Sequence, residues 1–488
     1  MTTYDAIVIG SGPNGFAAAI TLQQQGLSTL IMEGADTIGG GMRTKELTLP
    51  GYRHDVCSAI HPMAMASPFL RSLPLEEHGL HFVQAPYAAA HPLKNGEVAR
   101  LCKSVDETAA LLGTDGKKYK DLIEPVVEQW ETLSLDIMGP LRFPEHPGQM
   151  MGFGLDGLMP ADWLVHRFKT ITGRALFGGM AAHGIQPLSN WGTSAIGMVL
   201  MAVGNRYGWP IPVGGSQSIA DALNSYYLSL GGTIQCDCWV EDVRDIPHHR
   251  VLLLDLTPQQ LLGLKGIEWA KTYKRQLEKY RQGMGVFKID WALSDPTPFI
   301  NSECNQAATV HLGNTYEEIA HYEKMTHRGK LLTDPFVLFA QQSSFDRTRA
   351  PEGKHTGWAY CHVPNGVEVD RTEVIEAQIE RFAPGFKDTV IARSSMNAMD
   401  MERYNPNYVG GDINGGLMDI RQLYTRPIRS LTPYRTSDPS TYICSSATPP
   451  GGGVHGMCGY AAAKIALKDH YGIKEQDLKL NFLRGGNA

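Results

Sequence analysis

Residues 4–15 read YDAIVIGSGPNG, and this stretch decides the fold. Tyr4 to Ile9 is a short apolar run of strand-forming residues that ends at Gly10. Gly10-Ser11-Gly12-Pro13-Asn14-Gly15 follows as a G-x-G-x-x-G turn, and a helix-like segment runs on from Phe16 to Gln25. Gly26 stops that helix, and a second apolar run, Leu27 to Met32, ends in Glu33. Gly10 permits the tight turn, Gly12 lets the backbone approach a pyrophosphate, and Gly15 lets helix and strand pack closely. The helix N-terminus offers free N–H groups and a positive dipole end to the phosphates. Glu33 comes eighteen residues after Gly15, where an acid accepts hydrogen bonds from an adenosine ribose.

The order strand, turn, helix, strand, acid gives the motif its weight. Gly152-Phe153-Gly154-Leu155-Asp156-Gly157 also spells G-x-G-x-x-G. Pro144 and Pro147 stand where a strand is needed, and Pro160 interrupts the helix that should follow. That second match reads as a loop.

A further glycine cluster follows the acid: Gly34-Ala35-Asp36-Thr37-Ile38-Gly39-Gly40-Gly41-Met42-Arg43-Thr44. Here FAD and NAD part company. FAD is longer, so its ribityl and ring portions need close backbone contact beyond the first βαβ unit, and a Gly-rich loop supplies it. Late in the chain the pattern returns. Thr441 to Cys444 is strand-like, Gly451-Gly452-Gly453-Val454-His455-Gly456 is a glycine loop, and Tyr460 to His470 is helix-like. This loop comes too late for the first nucleotide fold, so the chain is expected to return and cover the far end of the same cofactor.

A chain of 488 residues predicts two or three domains. Forty-four basic against fifty acidic residues, without a long basic run, argue against a nucleic-acid partner. Only Cys236 and Cys238 of the eight cysteines are close, and their i, i+2 spacing suits neither redox nor zinc chemistry. Scattered thiols in a reducing, cytoplasmic compartment are the expectation. The most apolar stretch, Thr193 to Val203, is too short to span a membrane, which leaves a core helix, a wall facing an apolar ligand or a peripheral contact.

Ser216, after Gly214-Gly215, reads as the N-cap of a helix from Gln217 to Leu230, and Gly231-Gly232 opens a strand-like run through Val240 and Val243. Residues from about 87 to 205 carry helix signals, including a capping box at Ser104 and Glu107. Strands are expected at Val286 to Leu293 and Phe336 to Gln341, with helices capped by Asn314 and Asp370. The expected division is a discontinuous cofactor domain, 1–86, 206–285 and 401–488, and a substrate domain from 87–205 and 286–400.

Together these motifs resemble the FAD-dependent phytoene desaturase superfamily, which includes carotenoid desaturases and isomerases and retinol saturase. Within it they look most like the group of pyridine nucleotide-disulfide oxidoreductase domain-containing protein 2. The similarity rests on the fingerprint through Thr44, the Leu49-Pro50-Gly51-Tyr52 turn, the stretches Gly208-Trp209-Pro210 and Gly214-Gly215-Ser216, and Thr448-Pro449-Pro450-Gly451-Gly452-Gly453-Val454. It implies an α/β fold, with a Rossmann-like FAD-binding domain of the glutathione-reductase/amine-oxidase type and a discontinuous α+β substrate domain. By resemblance, residues 10–15 (Gly10, Ser11, Gly12, Pro13, Asn14, Gly15) hold the pyrophosphate, and Glu33 with Gly34 the ribose. Gly40, Gly41, Met42 and Arg43 line the inner edge of the flavin, and Val240 meets adenine through its backbone. Gly452, Gly453 and Val454 face the ribityl chain and ring. Two departures stand out. Gly41 replaces the usual arginine after Gly39-Gly40, and Ser445-Ser446-Ala447 replaces the usual Gly-Ala-Gly.

In such enzymes hydride moves to or from flavin N5 and the protein positions substrate. His455 is the one candidate catalytic side chain. As imidazolium it would stabilise reduced flavin, as imidazole it would shuttle a proton, and as a plain loop histidine it would satisfy a backbone carbonyl. His54, Asp55, His61, His183 and Arg206 carry no assigned role, and no metal site is expected. Without a redox C-x-x-C or a second dinucleotide fingerprint, the expected electron acceptor is oxygen, a quinone or another molecule rather than a bound nicotinamide. The leading reading is dehydrogenation, desaturation or isomerisation at C–C bonds of an apolar, isoprenoid-like molecule. A flavin amine oxidase and a non-catalytic binding protein of the GDP dissociation inhibitor or Rab escort type are the alternatives.

Overall fold

The computed structural model describes residues 3–423 and 425–478, so the end of the expected cofactor segment, from 479, lies outside the described residues. The first elements are β1 (Thr3–Ile9), α1 (Pro13–Gln23) and β2 (Thr29–Met32). Helix α1 starts three residues earlier than the sequence suggests. Gly12 is its N-cap and Pro13 its first residue, where the missing N–H of proline costs nothing.

Next come β3 (Tyr87–Pro92), β4 (Val98–Cys102), α2 (Pro147–Gly157), α3 (Ile171–Ala182) and α4 (Thr193–Tyr207). Two corrections fall here. The Gly152–Gly157 match is helical rather than a loop, because Pro147 begins α2 and Pro160 lies beyond its end. No strand precedes it, so it forms no phosphate turn. Strand β3, YAAAHP, was hidden by its alanines, which favour helix by propensity, whereas here pairing on both sides decides. Ser104 accepts the Glu107 N–H, half of the expected capping box.

The chain continues through α5 (Gln217–Ser229), β5 (Thr233–Gln235), β6 (His248–Leu254), β7 (Gly285–Leu293), β8 (Ala307–Leu312) and α6 (Tyr316–His327). The strand expected through Val243 ends at Gln235, and Asp237, with φ of 54°, turns the chain away. Ser216 does not cap α5 with its side chain. Its Oγ donates instead to the Ser58 carbonyl at 2.6 Å. Thr315, not Asn314, caps α6. The last elements are β9 (Val337–Ala340), β10 (His355–Val363), α7 (Thr372–Glu380), β11 (Val390–Met396), β12 (Thr441–Ile443) and α8 (Met457–Tyr471). Arg371 occupies the N-cap position of α7, while Asp370 reaches past it to accept the Thr372 N–H at 2.8 Å.

Two sheets organise these elements. One is five-stranded, β12-β6-β1-β2-β5, and every pairing in it is parallel. Its middle strands are buried on both faces, so they read as continuous apolar runs. Helices α1 and α8 pack on one another beside it. The other sheet is seven-stranded and mixed, β11-β7-β10-β9-β8-β3-β4. Helices α3 and α4 cover part of it, with Gly173 and residues 175–182 buried in α3. No helix among the described residues is long and apolar enough to cross a membrane.

Candidate active site

A cavity of about 970 Å³ runs from the carboxyl ends of the parallel strands to one face of the seven-stranded sheet. Ile9 closes β1, Glu33 follows β2, Asp255 follows β6, and Ser446 lies just beyond β12; all four reach this cavity. Ligands of open α/β sheets bind at these strand ends.

The fingerprint meets the cavity through Gly10, Ser11, Gly12, Pro13 and Asn14. Gly15 sits behind them. A Cβ there would lie 2.0 Å from the Gly10 carbonyl oxygen, so only glycine lets helix and strand approach this closely. Its N–H donates to Asp255 Oδ2 at 3.0 Å. Asp255 was missed from the sequence, although VLLLD repeats the strand-then-acid pattern that marked Glu33. Burial, with the nearby charge of Glu33, pushes its carboxyl up to about 7.

Glu33 is held from two sides. Oε2 accepts the Ser11 N–H at 2.9 Å and its hydroxyl at 2.5 Å, while Oε1 accepts Ala35 N–H at 2.9 Å and Arg43 Nη2 at 3.1 Å. Arg43 also donates from Nη2 to the Thr37 carbonyl at 2.6 Å, and its guanidinium lies over the Tyr404 ring. Its charge therefore fixes the second glycine loop against the acid. Gly34, Gly40 and Gly41 border the cavity, and a Cβ on Gly40 would stand 3.1 Å from Gly12 Cα. Met42 does not border it; the side chain is fully buried in the core behind the loop. Val240 reaches the cavity from the loop after β5, next to half-exposed Trp239.

The late glycine loop lies on the same cavity, through Gly452, Gly453, Val454 and His455. His455 Nδ1 accepts the Met457 N–H at 3.0 Å, so its proton sits on Nε2. Burial holds the ring down to about 4, which makes it a neutral imidazole near pH 7 in the absence of a neighbouring anion. Nε2 is buried and has no partner among the described residues. Sequence reading missed the loop Ile413, Asn414 and Met418, which closes over Gly452.

The rest of the wall is mostly apolar. Phe153 comes from α2, Ile196, Val199 and Leu200 from α4, and Leu338 and Trp358 from β9 and β10. Among this group Lys288 stands out. It is buried on β7 and ion-paired with Asp290, whose carboxyl burial pushes up to about 6 against the pull of the ammonium. His54 Nδ1 lies 3.6 Å from the same carboxylate, and burial keeps that ring down to about 3. His61 and His183 border the cavity. His61 Nε2 pairs with Ser216 Oγ at 2.7 Å. Asp55 and Arg349 form a fully buried ion pair at 2.6 Å, and Arg206 bonds Glu131 at 2.9 Å.

These residues fit a long dinucleotide. A side-chain-free turn at a helix N-terminus suits the pyrophosphate, and a pinned carboxylate suits the ribose. A second pair of glycine loops with an orphaned imidazole nitrogen suits the flavin end.

Comparison with known proteins agrees. Residues 8–73 match the model of an NAD(P)-binding Rossmann-like domain. The chain is 25% identical to mouse pyridine nucleotide-disulfide oxidoreductase domain-containing protein 2, over 96% of this chain and 94% of that one. It is 23% identical to the neurosporene-forming phytoene desaturase of Rhodobacter capsulatus, over 93% and 92%. A putrescine oxidase structure shares the fold, with a TM-score of 0.61 at 14% identity, over 97% of this chain and 100% of that one. The protein is an FAD-dependent oxidoreductase, similar over nearly its whole length to the phytoene desaturases and to pyridine nucleotide-disulfide oxidoreductase domain-containing protein 2.

Proposed function

We propose that this protein dehydrogenates, desaturates or isomerises C–C bonds of an apolar, isoprenoid-like molecule. The observation that carries the reading is the continuity of the cofactor cradle with a cavity walled by Phe153, Ile196, Leu200, Leu338 and Trp358. Bound FAD supplies a two-electron acceptor or donor at its N5. The residues of the chain do the rest. The fingerprint and Glu33 hold the adenosine-pyrophosphate half, and Gly452 to His455 face the flavin half. The apolar wall excludes water and aligns the chain of the substrate. His455 offers a neutral N–H at Nε2, and Lys288 with Asp290 provides a fixed buried ion pair.

An amine substrate fits less well. The cavity carboxylates among the described residues, Glu33, Glu241 and Asp255, all lie at the cofactor end, so the substrate wall offers no anion to an ammonium. The acceptor in this reading is oxygen or a quinone. The protein works in the cytoplasm and touches a membrane surface through exposed Phe143, Met151 and Leu155, which flank or belong to the helix that carries cavity-lining Phe153.

An absorption spectrum of the purified protein, before and after heat release of ligand, is the test. Flavin bands near stoichiometric with protein, bleached anaerobically by isoprenoid compounds, support the proposal. A colourless protein that takes up no FAD contradicts it.

A further inference from the structure

Helix α3 ends at Ala182, and the next residue, His183, reaches the cavity wall. Its Nε2 lies 3.0 Å from Nε2 of His311. His311 stands on β8 two residues beyond cavity-lining Thr309, hence on the same face of the sheet. It is fully buried, and its Nδ1 has no partner among the described residues. His91, also fully buried, donates from Nε2 to the Asn314 carbonyl at 2.6 Å, which leaves its Nδ1 as a lone pair. Both Nδ1 atoms converge on Gly179 of α3. A Cβ there would lie 2.6 Å from that of His311 and 2.9 Å from that of His91.

Hydrogen-bond accounting assigns the protons. Two neutral imidazoles that share one N···N contact need one N–H and one lone pair. A buried N–H without an acceptor is rarer, and costlier, than an unmatched acceptor. The orphaned Nδ1 of His311 is therefore the lone pair, and its proton sits on Nε2, donated to His183. The proton of His183 then sits on Nδ1 of this half-buried residue of the cavity wall. Burial keeps both rings neutral, His183 down to about 3 and His311 well below its ordinary value.

We infer that His183 is a neutral hydrogen-bond donor of the substrate cavity, and that the substrate is an apolar molecule bearing one uncharged oxygen acceptor, a carbonyl or a hydroxyl. The inference rests on the reading of this cavity as an apolar-substrate site. A carboxylate suits the wall poorly. A neutral imidazole brings no charge to it, and Lys288 and Arg403, cations of the wall, are already ion-paired.

Three probes of one chain length test it on the FAD-loaded protein: farnesene without oxygen, farnesal with a carbonyl, and farnesoic acid with a carboxylate. Binding is read from the perturbation of the flavin absorption bands. Farnesal is expected to bind about tenfold tighter than farnesene, the gain from one buried donor finding its acceptor. The preference should vanish in His183→Phe and survive in part in His183→Gln, which keeps a donor. FAD content and thermal melting of each variant show that it is folded. Equal wild-type affinities for farnesal and farnesene, a preference that survives in His183→Phe, or tightest binding by farnesoic acid would each overturn the assignment. Failure of all three probes to bind would instead overturn the apolar-cavity reading beneath it.

Discussion

Asp255 Oδ2 accepts the Gly15 N–H at 3.0 Å and ties the end of β6 to the first turn of α1 across 240 residues of sequence. The carboxyl thus shares the helix N-terminus with the phosphates expected at this turn. As an anion it would repel them; as a neutral acid it would not.

This contact is expected to make FAD binding pH-dependent. Burial and the charge of Glu33 raise the Asp255 carboxyl to about 7. The folded protein thus holds a proton that the unfolded chain loses above its ordinary carboxylate range. This contribution to stability falls as pH rises from about 4 through about 7. FAD affinity should weaken as pH rises through about 7 in the wild type and stay flatter in Asp255→Asn. Fluorescence titration with FAD at pH 6 to pH 9 checks this, and parallel profiles for the two proteins would count against it.

Two glycines of the fingerprint should fail differently. A Cβ on Gly15 meets the Gly10 carbonyl oxygen at 2.0 Å, a backbone atom that cannot move aside. Gly15→Ala should lower thermal stability sharply, with FAD present or absent. A Cβ on Gly12 meets the carboxylate of Asp255 at 2.7 Å, and a side chain can shift. Gly12→Ala should stay folded and lose FAD. Melting curves with and without added FAD separate the two outcomes.

Lys288 and Asp290 form a buried pair on β7, and removing one partner strands the other. Lys288→Met should cost about 3–5 kcal/mol of stability, and the double variant Lys288→Met with Asp290→Leu should recover much of it. Denaturant unfolding of the three proteins decides. Equal stability of the single and double variants would show that the two charges do not depend on each other.

His91 is buried and its ring is held down to about 4, so the unfolded chain takes up a proton between about 4 and about 6.5 that the folded protein refuses. Its contribution is complete above that window and lost as pH falls through it. His91→Gln can keep the hydrogen bond to the Asn314 carbonyl without the titration. Its melting temperature should drop less than that of the wild type between pH 7.5 and pH 5.

The nucleotide half of the site was legible because its elements are local. Tyr4 to Glu33 states strand, turn, helix and acid within thirty residues, and the structure has them in that order, with the helix beginning three residues earlier. What was not legible depends on distant pairing. Tyr87–Pro92 is a strand because β4 and β8 flank it, not because of its alanines. Ser216 follows a glycine pair as an N-cap should, yet its hydroxyl is drawn away by Ser58 and His61. The His183–His311 contact joins residues 128 apart, and nothing in the local pattern of either announces it.

The most direct test of the account is an anaerobic titration of the FAD-loaded protein, following flavin bleaching with isoprenoid hydrocarbons and aldehydes, with putrescine, and with NADPH. The account predicts bleaching by members of the isoprenoid set and none by the amine or the nicotinamide. Rapid bleaching by NADPH or putrescine, with no response to any isoprenoid, would contradict it.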